Sequence, residues 1–295
     1  MLHFFMLLMV NHVRESLIRF FSVYFFKLSE GSMKMKIKPV RVRDLILGSG
    51  RPRICIPIVG VNEKDVIEQA EKIRKYPCHM VEFRADWYEG ALDPERQKKL
   101  LLRLRDEDLL ASMPILYTFR TMAEGGERQV SFDQYRSILL QVSRDHLADL
   151  IDVEGFFKGL PEGDCRVTDL IGDIHDHGLP LIASSHDFDK TDDKDVLVER
   201  LKMLQSMGGD IIKIAVMPHS KEDVLQLLSA VIEMNESFAR VPVAAMSMSD
   251  LGRISRVCGE WIGSCLTFAS AGKSSAPGQL DAVDLDQMLE LLHHS

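Results

Sequence analysis

The chain has 295 residues, 46% of them apolar and 27% charged, with a formal net charge of -8 and no run of basic residues. That composition fits an ordinary globular protein and excludes a nucleic-acid partner, which would call for a stripe of lysine and arginine. Five cysteines, an odd number without a C-x-x-C pair, argue against a disulfide framework or a zinc knuckle and for a reducing cytoplasm.

Residues 1–35 differ in character from the rest of the chain. Two aromatic-rich patches, 1–10 and 20–26, flank a polar stretch, and Arg14, Glu15 and Arg19 interrupt any run of the roughly 20 apolar residues that a transmembrane helix needs. A basic start and a small-residue cleavage site, the marks of a secretory signal, are not visible. Two readings stand: an interfacial amphipathic helix, or translated sequence upstream of a true start at Met33 or Met35. The break at Ser29-Glu30-Gly31-Ser32 favours the second. Residues 36–295 are then expected to form a single catalytic domain, with no membrane partner.

From Arg53 onward, β-branched or aromatic runs recur at 54–59, 80–86, 115–120, 149–154, 181–186, 211–216, 243–248 and 262–268, with amphipathic stretches between most of them. Strand alternating with helix predicts parallel βαβ units. Asn62 can cap a helix that puts Val66, Ile67, Ala70 and Ile73 on one face, and Ser220 with Asp223 resembles a capping box. Eight such units in about 240 residues predict a single-domain α/β protein, the (β/α)8 or TIM barrel. The runner-up, a doubly wound open sheet, lacks a G-x-G-x-x-G after its first strand. His175-Asp176-His177 suggests a metal cluster only superficially, because residues two apart on a helix diverge by about 200°.

In a barrel the two faces of each strand acquire meaning. The second run puts Val81, Phe83 and Ala85 on one side and Glu82, Arg84 and Asp86 on the other, so its polar side must be the interior. Arg120 ends the third run, Asp152-Val153-Glu154 the fourth and Ser184-Ser185-His186-Asp187 the fifth, while Lys213 sits in the middle of the sixth. Buried ion pairs explain any one of these. Five strands in succession would be a costly set of buried charges without a use, and barrel enzymes work at the carboxyl ends of their strands. Burial of Lys213 among Arg84, Arg120 and Arg256 is expected to favour its neutral amine, a nucleophile for carbonyls that makes imine chemistry plausible. His186 offers a general acid or base, and the arginine forks suit a substrate carboxylate. Glu154 reads more as an ion-pair partner than as a site residue.

Taken together, Val81-Glu82-Phe83-Arg84, Thr118-Phe119-Arg120 with Glu124-Gly125-Gly126, Ser184-Ser185-His186-Asp187-Phe188, Ile212-Lys213, Met246-Ser247-Met248 with Ser255-Arg256, and Ser275-Ala276-Pro277-Gly278-Gln279 resemble the type I 3-dehydroquinate dehydratase family from about Val40 to Leu292. The resemblance implies a (β/α)8 barrel that dehydrates 3-dehydroquinate in the shikimate pathway of aromatic amino acid biosynthesis. It implies that Lys213 forms a Schiff base with the ring ketone, that His186 moves the protons, and that Glu124 orients His186. It implies too that Arg256 clamps the substrate carboxylate with Ser275 and Gln279, and that Glu82, Arg84 and Arg120 hold the ring hydroxyls and the polar end. No metal or organic cofactor is then required, and a cytoplasmic homodimer is expected. The glycine-rich loop 271–279 is expected to act as a lid over the site. Two other functions remain open: a class I aldolase or transaldolase, and a barrel that binds a cyclic acid without catalysis.

Overall fold

Period-two runs become the staves of a barrel, and the amphipathic stretches become its outer ring. The structure, a computed structural model, describes residues 37–161, 164–272 and 275–293; the 1–35 leader with both of its readings lies outside them, as do Lys273 and Ser274 of the glycine-rich loop. A short antiparallel hairpin, β1 (Val40–Val42) and β2 (Leu45–Leu47), comes first. Next come β3 (Arg53–Ile58), α1 (Glu63–Ile73), β4 (Met80–Arg84), α2 (Pro94–Leu104), β5 (Ile115–Thr118) and α3 (Phe132–Arg144). The chain continues with β6 (Leu150–Glu154), α4 (Arg166–Asp176), β7 (Leu181–Asp187), α5 (Lys194–Ser206), β8 (Ile211–Val216), α6 (Lys221–Glu233) and β9 (Val243–Ser247). Two single turns, α7 (Ile254–Val257) and α8 (Gly259–Ile262), then β10 (Leu266–Ser270), β11 (Leu280–Asp281) and α9 (Ala282–Leu292), complete it.

Strands β3 to β9 pair in sequence order, all parallel, while β10 lies on the other side of β3 and the two-residue β11 beyond it. The ring closes at the foot of β9, where Val243 bridges Ser264 and its carbonyl accepts the Cys265 N–H at 2.7 Å. This is the α/β barrel expected from the sequence. Among the described residues no helix is long and apolar enough to cross a membrane.

Side-chain alternation separates two cores. Outward residues such as Val81, Phe83, Ile151, Val153, Ile212, Ile214 and Val216 pack against the helices. The inward residues at the strand starts, among them Cys55, Met80, Leu116, Leu150, Ile182 and Ile211, form a second apolar cluster with Val42 and Leu47. The hairpin thus plugs the amino-terminal end of the barrel. Each fully buried Leu or Ile in either core contributes about 1.5–3 kcal/mol of transfer free energy.

Caps start the helices at the positions their sequences mark. The Asn62 side chain accepts the Asp65 N–H, Ser131 with Gln134 and Ser220 with Asp223 close capping boxes, and Asp93 precedes Pro94 at the first helical position of α2. His175 bonds Asp210 and His177 bonds Ser143, each at 2.8 Å, so the two rings diverge to separate partners as their spacing requires.

Several strand ends differ from the sequence reading. The run at 262–268 begins too early: Ile262 ends a helical turn, Gly263 adopts φ +82°, and β10 starts at Leu266. Pattern reading fails there because Ile262 belongs by periodicity to either element, and a single helical turn is too short to show its own period. β4 stops at Arg84 and passes into a 3-10 turn over Ala85–Trp87, and β5 stops at Thr118, which leaves Arg120 just beyond its strand.

Candidate active site

Above the apolar plug the same inward positions turn polar, and they meet at the carboxyl ends of the strands. Leu116, Leu150, Ile182 and Ile211 are succeeded two residues on by Thr118, Asp152, Ser184 and Lys213, all buried. A pocket opens here, lined by Lys213, His186, Glu124, Glu82, Arg84, Arg120, Arg256, Ser275 and Gln279, with apolar walls from Ala215, Met246, Met248, Phe188 and Phe268. Every residue singled out in the sequence for catalysis or substrate binding therefore lines one cavity. The fold brings together positions as far apart as 82 and 279 because each stands at the same end of its strand or in the loop that follows.

Lys213 is 5% exposed. Its Nζ donates to Asp152 Oδ2 at 3.2 Å, lies 3.9 Å from Glu82 Oε1, and sits 4.6 Å from the centre of the Phe268 ring. The arginines share this pocket as expected, but the partners of Nζ are two carboxylates, and Arg84 and Arg120 are paired with acids of their own.

Arg84 makes a two-pronged contact with Asp86, both bonds 2.9 Å. Arg120 donates to Asp152 Oδ1 at 2.7 Å and Glu154 Oε1 at 3.1 Å, with Glu124 Oε2 at 3.5 Å. Burial opposes charge on Asp152, yet Arg120 and Lys213 overcome it and hold the carboxyl down at about 2. Glu154 also accepts from the Thr121 N–H and hydroxyl at 2.8 Å each, the ion-pair role its position suggested.

His186 hydrogen-bonds Glu124 Oε2 through Nδ1 at 2.9 Å, and its backbone N–H donates to the same oxygen at 3.1 Å. Burial first, then Arg120, Lys213 and Arg84, push the imidazole well below its ordinary value. Burial and the nearby Glu154 push the Glu124 carboxyl above its own. Both shifts work against an imidazolium–carboxylate pair, so the ring is neutral. Since Oε2 already accepts a backbone N–H, the ring proton belongs on Nδ1, and Nε2 is left to accept one.

Glu124 reaches this place through a 3-10 turn, Met122–Glu124, that doubles back at Gly125, where φ is +83°. At Gly126 a Cβ would stand 1.9 Å from the Arg120 carbonyl oxygen, so only glycine lets the loop fold that tightly. The Glu-Gly-Gly motif is thus one acid and the two residues that aim it.

Arg256, in α7, is 2% exposed and donates to two carbonyls, Phe268 O at 3.4 Å and Pro277 O at 3.1 Å. Burial brings it down to about 10. Among the described residues no carboxylate lies within 4 Å of it, and its Nε has no hydrogen-bond partner, which makes it a buried cation suited to an incoming anion. Ser275 and Gln279 face it as a pair: the Gln279 Oε1 accepts the Ser275 N–H and its Nε2 donates to Ser275 Oγ, both at 3.0 Å.

The sequence reading passed over Asp152 and Asp86 as site members. Asp152 was detectable, since Leu150, Asp152 and Glu154 alternate onto one face. Phe268 carried no signal, being one apolar residue in an apolar strand.

The model of the family described as type I 3-dehydroquinase matches residues 54–295. The 3-dehydroquinate dehydratase of Clostridioides difficile is 41% identical over 258 residues, covering 88% of this chain and 98% of that protein. The Bacillus licheniformis enzyme of the same name is 42% identical over 258 residues, 88% of this chain and 99% of that one. A crystal structure of the type I enzyme from Clostridium difficile with covalently modified comenic acid superposes with a TM-score of 0.80 at 40% identity, over 87% of this chain and 98% of that one. The crystal structure of 3-dehydroquinate dehydratase from Geobacillus kaustophilus gives 0.80 at 34% identity, over 88% and 98%.

Proposed function

The chain belongs to the type I 3-dehydroquinase family, a hydro-lyase of the shikimate pathway that dehydrates 3-dehydroquinate, and from that premise we propose how its residues divide the work. The aldolase and the non-catalytic readings give way to this one. Lys213 Nζ, as the free amine, attacks the ring ketone, and the carbinolamine, protonated on its hydroxyl from solvent, loses water to leave an iminium, C=N⁺. His186 Nε2 then takes a proton from the adjacent carbon, and the C–H electrons move into the iminium to give an enamine. The imidazolium next hands its proton to the β-hydroxyl, whose C–O bond breaks as water departs and the conjugated iminium re-forms. Hydrolysis returns Lys213 and releases 3-dehydroshikimate. Glu124 keeps Nε2 pointed at the ring throughout.

Arg256 receives the substrate carboxylate with Ser275 and Gln279, and Glu82 and Arg84 hold the ring hydroxyls. Arg120 lines the same pocket and aligns three carboxylates around it. The observation that carries the reading is the convergence of a buried amine, a neutral imidazole and an acid-free guanidinium on one pocket. The covalent ligand in the Clostridium difficile relative is in keeping with a nucleophilic amine. The segment 275–279 is proposed to tighten over bound ligand, which slower hydrogen exchange there in the presence of product would register. A cytoplasmic homodimer is also proposed, and light scattering of the purified chain tests the dimer.

The direct experiment adds 3-dehydroquinate and follows the ultraviolet absorbance of the conjugated enone. Borohydride added during turnover is expected to fix one substrate-derived group on Lys213. Enone formation with labelling elsewhere would overturn the assignment of the amine.

A further inference from the structure

One carboxylate in the site has no task in the proposed reaction. Asp152 stands on β6 with Oδ2 at 3.2 Å from Lys213 Nζ, the atom that becomes the imine nitrogen. Its other oxygen, Oδ1, is held by Arg120 at 2.7 Å and by the Ser184 hydroxyl at 2.6 Å, so neither can rotate away when Nζ changes partners. The Phe268 ring lies 4.6 Å from the same nitrogen. Together they form a fixed anion and a π face around a single atom.

We propose that Asp152 is a catalytic residue of this enzyme, the resident counter-ion that keeps the imine nitrogen protonated, with the face of Phe268 as its second support. This deepens, and rests on, the assignment of Lys213 as the imine-forming amine. The charge it serves comes and goes. Nζ attacks the carbonyl as a neutral amine to give a carbinolamine; the nitrogen lone pair then moves into a C=N bond as the carbon–oxygen bond breaks, and the hydroxyl, protonated from solvent, leaves as water, so that the nitrogen becomes a positive iminium. Removal of the α-proton by His186 quenches that charge by sending an electron pair into C=N; departure of the hydroxyl restores it. A neutral imine would be a far poorer sink for those electrons, and in a buried site a proton on nitrogen persists only beside an anion. Arg120 and Lys213 hold the Asp152 carboxyl down at about 2, so it is ionised near neutral pH.

Other titratable groups share the pocket of that nitrogen or feel its charge. Glu82 and Arg84 come from β4, Cys55 from β3, Arg120 and Glu124 from the segment after β5, His186 from β7 and Arg256 from α7. Glu82 lies farther off, at 3.9 Å, and the Thr118 hydroxyl takes one of its oxygens at 2.9 Å, which leaves Asp152 the stronger neighbour.

The test compares kcat against pH for the wild type, Asp152→Asn and Phe268→Leu, with borohydride labelling of Lys213 run alongside in each. Loss of the anion weakens proton binding both at the free amine and at the imine. The whole bell should therefore move to lower pH by about one to three units in Asp152→Asn, because an opposite charge at this range shifts proton affinity by that much. In Phe268→Leu it should move the same way by about half a unit, a change of roughly threefold in proton affinity. A bell that is lower but not displaced in these variants would assign both residues to packing and overturn the proposal. Should Asp152→Asn fail to fold by circular dichroism, Phe268→Leu decides it, displaced or not. Wild-type enzyme that turns over without labelling at Lys213 would remove the underlying assignment and this one together; labelled variants with unmoved bells would remove this one alone.

Discussion

The lower and upper halves of the barrel interior are built from the same strands in the same alternation, yet they carry opposite chemistry. Below, Cys55, Met80, Leu116, Leu150, Ile182 and Ile211 close on the hairpin residues Val42 and Leu47. Above, two residues along each strand, Glu82, Thr118, Asp152, Ser184 and Lys213 face one another, all buried. The lower layer gains free energy from every methylene it hides, whereas the upper must offset the desolvation of each charge with a partner. Nearly every buried charge in the upper layer has such a partner among the described residues: Arg84 with Asp86, Arg120 with Asp152 and Glu154, Lys213 with Asp152. Arg256 is the exception, and in the proposed reaction the substrate carboxylate would supply its anion. Stability and activity are thus stacked along one axis, which makes them separable by substitution.

The widest separation is expected at Lys213. Lys213→Ala should reduce enone formation to background and abolish borohydride labelling, while urea denaturation stays within about 1 kcal/mol of wild type, since Asp152 keeps Arg120 and Ser184. Collapse of the fold would show that the upper layer also bears the barrel's stability. His186→Ala should lose about 10²- to 10⁴-fold in turnover yet still be labelled at Lys213, because it removes proton transfer and not the nucleophile. Near-normal turnover would contradict its role.

A change in the lower layer should do the reverse. Leu150→Ala is expected to cost about 2–5 kcal/mol in stability, as truncating a fully buried Leu leaves a cavity, with kcat per folded molecule unchanged. A parallel fall in kcat would mean that the two layers are mechanically coupled.

A finer probe is acidity. The imidazole of His186 is held below its ordinary value by burial and by Arg120, Lys213 and Arg84, so Nε2 remains unprotonated, and able to act as the base, at pH values below 6.5. The acid limb that belongs to His186 in the profile of kcat/KM should accordingly fall below 6.5. An acid limb above that value and absent from His186→Ala would show a solvated ring. The smallest effect is expected at the amino terminus: a chain starting at Met33 should match the full chain in activity and solubility, and loss of either would tie the leader to the barrel.

Much of this was legible in the residues. Alternation in Val81–Asp86 and Ile211–Val216 marked an interior that is polar at one end, and the caps at Asn62 and Ser220 marked where helices begin, because period and capping are local properties of the chain. Glu82, Arg84, Arg120, His186 and Lys213 stood out for the same reason, since charged groups at strand ends have one face to share in a barrel; the roles of Glu124, Arg256, Ser275 and Gln279 came from the family resemblance. Pairing was not local. The sequence placed Lys213 among arginines, and only the folded barrel, in which β6 stands two strands from β8, set Asp152 against its amine and drew Arg84 and Arg120 to acids of their own. Composition fixes which charges are buried, but the partner of each depends on distances of a few ångströms across strands some 60 residues apart in sequence, and at that range a Coulomb energy changes by several-fold with the choice of neighbour.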